Sequence, residues 1–361
     1  MLAAIRSDND ADLNIYVQSI EYDAKGQRQL IKYGNGIISM YEYEPDTYRL
    51  SRLLTKIRTG KAADLSYSYD PVGNIIEIRD AAQNTVYFKN DIVEPHREYQ
   101  YDALCRLISA SGREHQNQAN LPNPLNGWEA LPVGSDAALV NYTQQYSYDS
   151  VGNILEMAHR RITNNNGWTR HYAYAQNNNR LLATTLADPS IPFTDQYDYN
   201  IHGSMIAMPH LPAMDWNFLE QLRHVDLQGG GDAYYVYDSS GQRTRKVVET
   251  IGATVKDRIY LGGWEIYRER NNSGTTLQRE SLHVMDDQQC IALIETKMIG
   301  DDDAEGMLPV TRYQLGNHLG SVNLELDDVG DIISYEEFHP YGTTAYHAGK
   351  SLVSLGQKRY R

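Results

Sequence analysis

The sequence predicts an all-β protein in which antiparallel β-hairpin repeats form a curled or spiralling sheet. Three observations carry this. A Tyr-x-Tyr-Asp-x-x-Gly string recurs along the chain. Tyrosine dominates the aromatic residues, with 28 Tyr against 4 Phe and 4 Trp in 361 residues. Helical periodicity is scarce. Tyrosine favours strands and combines an apolar body with a polar tip, so its excess points to broad sheet surfaces that are only partly dry.

The repeat can be followed in order. IEYDAKGQ stands at 20–27, YEYEPDTYRL at 41–50, YSYDPVGN at 67–74 and YQYDALCR at 99–106. YSYDSVGN follows at 146–153, YAYAQNNNRL at 172–181, YDYNIHGS at 197–204 and YVYDSSGQ at 235–242. Paired tyrosines two residues apart, Tyr67 with Tyr69, Tyr99 with Tyr101, Tyr146 with Tyr148 and Tyr235 with Tyr237, share one face of a strand because side chains alternate. Tyr22 holds the same place in the first copy. Asp23, Asp70, Asp102, Asp149 and Asp238 then open turns that Gly26, Gly73, Gly152 and Gly241 close. The aspartate bonds backbone amides ahead of it, and the glycine accepts a left-handed conformation. Cys105 stands where the fourth copy should have glycine, and reads as a degenerate turn residue. A second strand follows each turn, so the unit is a hairpin. The Asp-x-x-Gly turn returns at 327–330, between Val322, Leu324 and Leu326 on one side and Ile332 on the other. Single hairpins are marginal, so these must add side by side. The stretch near 111–141 is expected to be an irregular insertion, 207–218 an irregular linker and 298–309 an acidic loop.

Composition excludes several classes. Lys plus Arg is 33, Asp plus Glu is 47 and the net charge is −14, which disfavours nucleic acid as a partner. No apolar run reaches membrane-spanning length, and MLAAIRSDNDADLN does not read as a signal peptide. Cys105 and Cys290 are too few for a disulfide framework, and a single bridge between them stays open.

Candidate chemistry is thin. No Walker loop, HExxH, GxSxG or Cys-x-x-Cys string is present. His318 and His339 are the most tempting histidines, and both read as hydrogen-bonding residues beside turns. Asp301, Asp302, Asp303 and Glu305 lack the spacing of a Ca²⁺ loop and read as a solvated acidic segment. Glu336 and Glu337 are adjacent and must face opposite sides of a strand. A turn is needed in every hairpin and a catalytic acid only once, so the repeated aspartates argue for scaffolding. Asn141 and Asn271 match glycosylation acceptors, relevant only in a eukaryotic secretory route. No catalytic residue, metal or cofactor is assigned. The tyrosine face reads as cross-strand glue, with a glycan-binding surface as the alternative.

These repeats resemble the YD repeats of the rearrangement-hotspot (Rhs) family, and the resemblance sharpens at 311–347. There Asn317, His318, Leu319, Gly320 and Ser321 precede the 327–330 turn, and Phe338, His339, Pro340, Tyr341 and Gly342 follow it. The stretch is similar to the "DHLGS … YDPFG" segment just before the Rhs-associated core, in a spelling closest to insecticidal toxin-complex proteins. The resemblance implies a hollow shell that encloses a C-terminal toxic polypeptide. In many members the core cuts that polypeptide free with aspartates in an aspartyl-protease-like arrangement. It divides the chain into a YD-repeat region, 1–310, and the start of a core-type segment, 311–361. Because the sequence stops at Lys358-Arg359-Tyr360-Arg361, a fragment without protease element or toxin is expected. Implied partners are the chain's own toxin, the remaining shell chain and other toxin-complex subunits, with glycans under the adhesion alternative. The implied setting is export from a bacterium.

Overall fold

The computed structural model describes residues 5–7, 14–116, 138–162, 167–286, 289–300 and 309–349. Its elements are strands, with a 3₁₀ turn at Gln228–Gly230. The strands are antiparallel and pair in open order, mostly with their neighbours in sequence; Ile75–Asp80 pairs with His96–Tyr101 across a separate hairpin of Val86–Phe88 and Asp91–Val93. The chain forms two compact units. One comprises Met1–Thr169 with Arg312–Arg361, the other Arg170–Thr311.

In the first unit a meander runs through Asn14–Tyr22, Arg28–Tyr33, Ile38–Tyr43, Leu50–Ile57, Gly60–Tyr69 and Ile75–Asp80. It continues through His96–Tyr101, Leu107–His115, Leu139–Tyr148 and Ile154–Arg161. The later strands Val310–Gly316, Val322–Leu326, Ile332–Phe338 and Thr344–Gly349 form a second ribbon. Within this unit the ribbon packs on the meander. Tyr313 meets Tyr33 edge-on at 5.9 Å, and the Asn35 side-chain amide donates to the Asp327 carbonyl at 2.8 Å. Val322–Leu326 is buried at every position, unlike the half-buried strands of the meander. Leu324 and Leu326 are fully buried, and each contributes about 1.5–3 kcal/mol. The segment from Arg312 onward falls in the same compact unit as the meander, and a unit boundary lies between Thr311 and Arg312.

The second unit runs as hairpins from Ala213–Trp216 through Leu222–Asp226, Asp232–Tyr237, Arg243–Glu249, Val255–Leu261, Trp264–Asn271 and Gly274–Asp286 to Gln289–Ile299. Met214, Val225 and Ala233 anchor its small core.

Two expected irregular stretches are corrected. Strands Leu107–His115 and Leu139–Tyr148 enter the stretch at 111–141 from both ends, and residues 117–137 lie outside the described residues. Ala213–Trp216 is likewise a strand inside the expected linker at 207–218. Both were hidden because Gly, Asn and Pro punctuation masks a short alternation. The acidic residues 301–305 lie outside the described residues.

The YD turn has one construction throughout. The amide of Gly26 donates to the Asp23 carbonyl and that of Asp23 to the Gln27 carbonyl, a tight turn followed by a bulge. Asp23 Oδ1 accepts from the amides of Lys25 and Gln27, both at 2.8 Å. Asp70, Asp102, Asp149 and Asp238 repeat this bonding. Asn200, Asn217 and Asn317 do so with an amide oxygen. The Arg106 amide and guanidinium hold the Asp102 carboxyl below its usual range against the opposing effect of burial. Cys105 takes the left-handed conformation at φ 60°, where the sequence placed a missing glycine.

Candidate functional site

Two kinds of side chain join neighbouring hairpins. The second tyrosine of each pair donates its hydroxyl to a carbonyl just past the preceding turn. Tyr69 reaches Leu50 at 2.7 Å, Tyr101 reaches Ile75 at 3.0 Å, Tyr148 reaches Leu107 at 2.6 Å and Tyr237 reaches Leu222 at 2.9 Å. The expected tyrosine glue is therefore a directed hydrogen bond as well as ring contact. The second latch is arginine. Arg49 and Arg106 donate to the carbonyls of Asp70 and Asp149 in the next turn, at 2.9 and 3.0 Å, and lie over Tyr69 and Tyr148. Arg180 lies over Tyr199 in the same way. Gly73 is favoured by its φ of 109°, and a Cβ there would displace the Arg49 guanidinium, 2.9 Å away, from its latch. This latch escaped the sequence reading. Its signal is the Arg-Leu pair that follows the turns lacking glycine, at 49–50, 106–107 and 180–181.

Two residues of the 317–342 motif, His318 and Tyr341, contact the meander. His318 meets Tyr67 edge-on at 5.3 Å. Tyr341 meets the Tyr146 ring at 5.3 Å and the Tyr148 hydroxyl at 3.2 Å. Asn317 caps its turn through the amides of Leu319 and Ser321, and Gly320 and Gly342 both have positive φ. Pro340 stands in the turn that Gly342 closes onto the His339 carbonyl. His339 occupies the position that aspartate holds in the YD turns, with the same backbone bonds, Gly342 N–H to the His339 carbonyl and His339 N–H to the Thr343 carbonyl. Its side chain does something different: it turns inward.

There it meets a buried polar seam. Glu114 on Leu107–His115 and His159 on Ile154–Arg161 come together with His339. His159 Nε2 and His339 Nε2 lie 3.1 and 3.0 Å from Glu114 Oε2, and Arg161 Nε donates to Glu114 Oε1 at 2.6 Å. Gln144 meets His159 Nδ1 at 3.2 Å and Thr343 Oγ1 meets His339 Nδ1 at 3.0 Å. Trp168 and Tyr142 stack on His159, each at 5.4 Å between centroids. Burial alone would push the Glu114 carboxyl up, but the bonds and charge of the two histidines outweigh it and hold it at about 2.

Beside this cluster, Arg113 binds Glu337 at 2.6 Å and Arg97 approaches it at 3.3 Å. The Tyr335 hydroxyl donates to the same carboxylate at 2.9 Å. Burial opposes the Glu337 charge, and Arg113 and Arg97 overcome it, keeping the carboxyl below its usual range. Glu336 points elsewhere, accepting from the Thr344 hydroxyl, as strand alternation requires. His339 bonds within its own turn to Thr343 and also to Glu114, 225 residues away in sequence, a partner no local pattern could name.

Neither Cys105 nor Cys290 forms a disulfide. In the second unit Cys290 Sγ faces the Ala292 carbonyl at 3.4 Å and stands 3.9 Å from His283 Nδ1, while His283 Nε2 is 3.5 Å from Glu265. Asn141 is engaged by Asp91 and the Ile92 carbonyl, and Asn271 caps the Ser273 amide.

An antiparallel scaffold of phased YD turns, locked hairpin to hairpin, is the class this architecture defines. The chain belongs to the Rhs/YD-repeat family, in its toxin-complex shell branch. It is 32% identical over 372 residues to toxin subunit YenC2 of Yersinia entomophaga and 30% identical over 369 residues to YenC1 of the same organism. Each alignment covers 96% of this chain but only 37% and 36% of those relatives. Among solved structures, the TcdB2–TccC3 crystal structure matches 98% of the chain with a TM-score of 0.82 at 29% identity. The Photorhabdus luminescens Tc holotoxin pore matches 97% with the same score and identity. The matched part is 17% and 16% of those chains. No protein-family model matches the chain.

Proposed function

We propose that this chain forms part of the wall of a hollow YD-repeat shell in an exported bacterial toxin complex. The shell encloses a toxic polypeptide, and this segment contributes walling and no reaction of its own. The observation that supports the reading most is the latch between hairpins. Tyrosine hydroxyls and arginines bond backbone carbonyls of the adjacent turn, so the repeated residues are spent on holding a sheet continuous. This also weighs against the glycan alternative, because those hydroxyls already have partners. Sheets joined this way leave few free edges and suit a barrier between cargo and solvent. The match over nearly the whole chain to TcdB2–TccC3 structures supports the same role.

The proposal is tested by joining a protease-sensitive reporter polypeptide after Arg361 and co-expressing the chain with the large shell subunit of a toxin complex. Co-purification of the two with the reporter resistant to protease is the expected result. Deleting 317–343 should restore cleavage. A reporter cut equally fast with and without that stretch overturns the walling role of the segment.

A further inference from the structure

We propose that Glu114, His159 and His339 form a structural site for a Zn²⁺-class divalent ion that pins the 339–343 turn to the meander. The three side chains offer one carboxylate oxygen and two imidazole nitrogens, all within 4.8 Å of one another and all buried. Two imidazoles and one carboxylate are three zinc ligands, and a water completes the tetrahedron. Bonds of 2.0–2.1 Å in a tetrahedron place ligand atoms about 3.3 Å apart. The separations of Glu114 Oε2 from His159 Nε2 and His339 Nε2, 3.1 and 3.0 Å, need to open by only a few tenths of an ångström.

The surrounding residues fit as well. Each imidazole has its Nδ1 engaged, by Gln144 and by Thr343, which aims both Nε2 atoms at the same point. Glu114 Oε2 lies against both histidines, while Oε1 accepts from Arg161 at 2.6 Å and also faces His159 Nε2 at 3.2 Å. The Arg161 bond leaves Oε2 as the oxygen open to a metal. A metal on His159 Nε2 moves that ring's proton to Nδ1, which then needs an acceptor. Gln144 supplies one by turning its amide over, and the exchanged amide N–H₂ then donates to the Tyr146 hydroxyl, which now faces Oε1 at 2.5 Å. The Thr343 hydroxyl accepts from His339 Nδ1 without rearrangement. The adjacent guanidinium lowers the pull on hard cations that prefer several charged oxygens, so Ca²⁺ and Mg²⁺ are poor occupants.

His339 also shows why the site is separable from the fold. The backbone turn at 339–343 is that of a YD repeat, and in the same position Asn200, Asn217 and Asn317 cap their own turns. His339→Asn should therefore keep the turn while removing a ligand. The whole chain is stripped with chelator and titrated with Zn²⁺ alone. The expected result is one equivalent bound, a raised thermal midpoint, and a tetrahedral visible spectrum when Co²⁺ replaces zinc. In His339→Asn, Zn²⁺ affinity should fall at least about 100-fold and the zinc-dependent rise should vanish, with the metal-free midpoint kept. Thr343→Val, which leaves all three ligands, should weaken binding about 10-fold. Absence of stoichiometric binding in the wild type overturns the site. So does zinc binding unchanged in both variants, which marks adventitious surface histidines. Should His339→Asn fail to fold, Thr343→Val decides by the same measure.

Discussion

Arg113 and Glu337, 224 residues apart in sequence, form a bidentate approach in which Nη2 and Nε lie 2.6 and 2.9 Å from one carboxylate oxygen. Both side chains are almost wholly buried. The pair joins a strand of the meander to a strand of the second ribbon inside the first unit. It is accompanied by Arg97 and the Tyr335 hydroxyl, so the single carboxylate serves two guanidiniums and a phenol.

Glu337→Gln therefore leaves two buried guanidiniums without their counter-charge. The expected loss is about 3–5 kcal/mol, read as a lower denaturant midpoint. Glu42→Gln is the contrast, because Glu42 meets Arg52 at 3.3 Å with more than half its side chain exposed. That change should stay within about 0.5 kcal/mol. Equal effects of the two substitutions would remove the seam from the account of stability.

Cys105→Gly tests the degenerate turn. Cys105 holds φ 60° while its amide donates to the Asp102 carbonyl at 3.0 Å. Relief of left-handed strain, about 1–2 kcal/mol, exceeds the extra chain entropy that glycine loses, about 0.4–1 kcal/mol. The variant should be more stable by about 0.5–1 kcal/mol in equilibrium unfolding, and Cys105→Val less stable than wild type. The reverse order would mean that the thiol has a role beyond the turn.

Local features were legible in the sequence and non-local ones were not. Asp70 and Gly73 declare their turn within four residues, and Tyr69 declares its face by alternation. The Tyr69 hydroxyl needs Leu50, one hairpin back, and that partner follows from the repeat phase once it is known. Glu114, His159 and His339 meet only because separate hairpins pack together, a relation no local pattern carries. One trace was readable: Phe338-His339-Pro340-Tyr341-Gly342 matches Tyr69-Asp70-Pro71-Val72-Gly73 with histidine in place of the capping aspartate. A turn that gives up its cap is a place where the side chain is needed elsewhere. Arg113 and Glu114 were hidden for another reason, since they fall just inside the stretch whose punctuation read as irregular.

His224 in the second unit sets a pH dependence. Asp232 meets its Nε2 at 2.7 Å and Asp215 its Nδ1 at 2.9 Å, and these two bonds raise the imidazole above its ordinary value against a smaller effect of burial. Tyr234 stacks on the ring at 5.0 Å and carries no charge in this range. The folded state thus holds a proton that the unfolded chain releases near pH 6.5. The contribution is fully present below about pH 6.5 and is lost as pH rises through the folded value. Unfolding of wild type and His224→Gln should diverge most below that pH and converge above it. A difference that grows with rising pH would contradict the assigned bonds. The imidazole titration followed by NMR should show a midpoint above that of a free histidine.

Tyr67 and Tyr69 sit two residues apart on one strand face and should respond oppositely to loss of the hydroxyl. Tyr69 donates to the Leu50 carbonyl at 2.7 Å, which latches two hairpins. Tyr69→Phe should cost about 0.5–1.5 kcal/mol, the net value of such a bond. The Tyr67 hydroxyl is buried and has no hydrogen-bond partner among the described residues, while its ring packs with Leu53, Leu65 and Ile78. Tyr67→Phe keeps that packing and the edge contact with His318 and removes a desolvated polar group. It should be neutral or stabilising by up to about 1 kcal/mol. Differential unfolding of the two variants decides between them. If Tyr67→Phe is the more damaging, the repeat is held by the first tyrosine of each pair, and the latch assigned to the second does not explain how hairpins are joined.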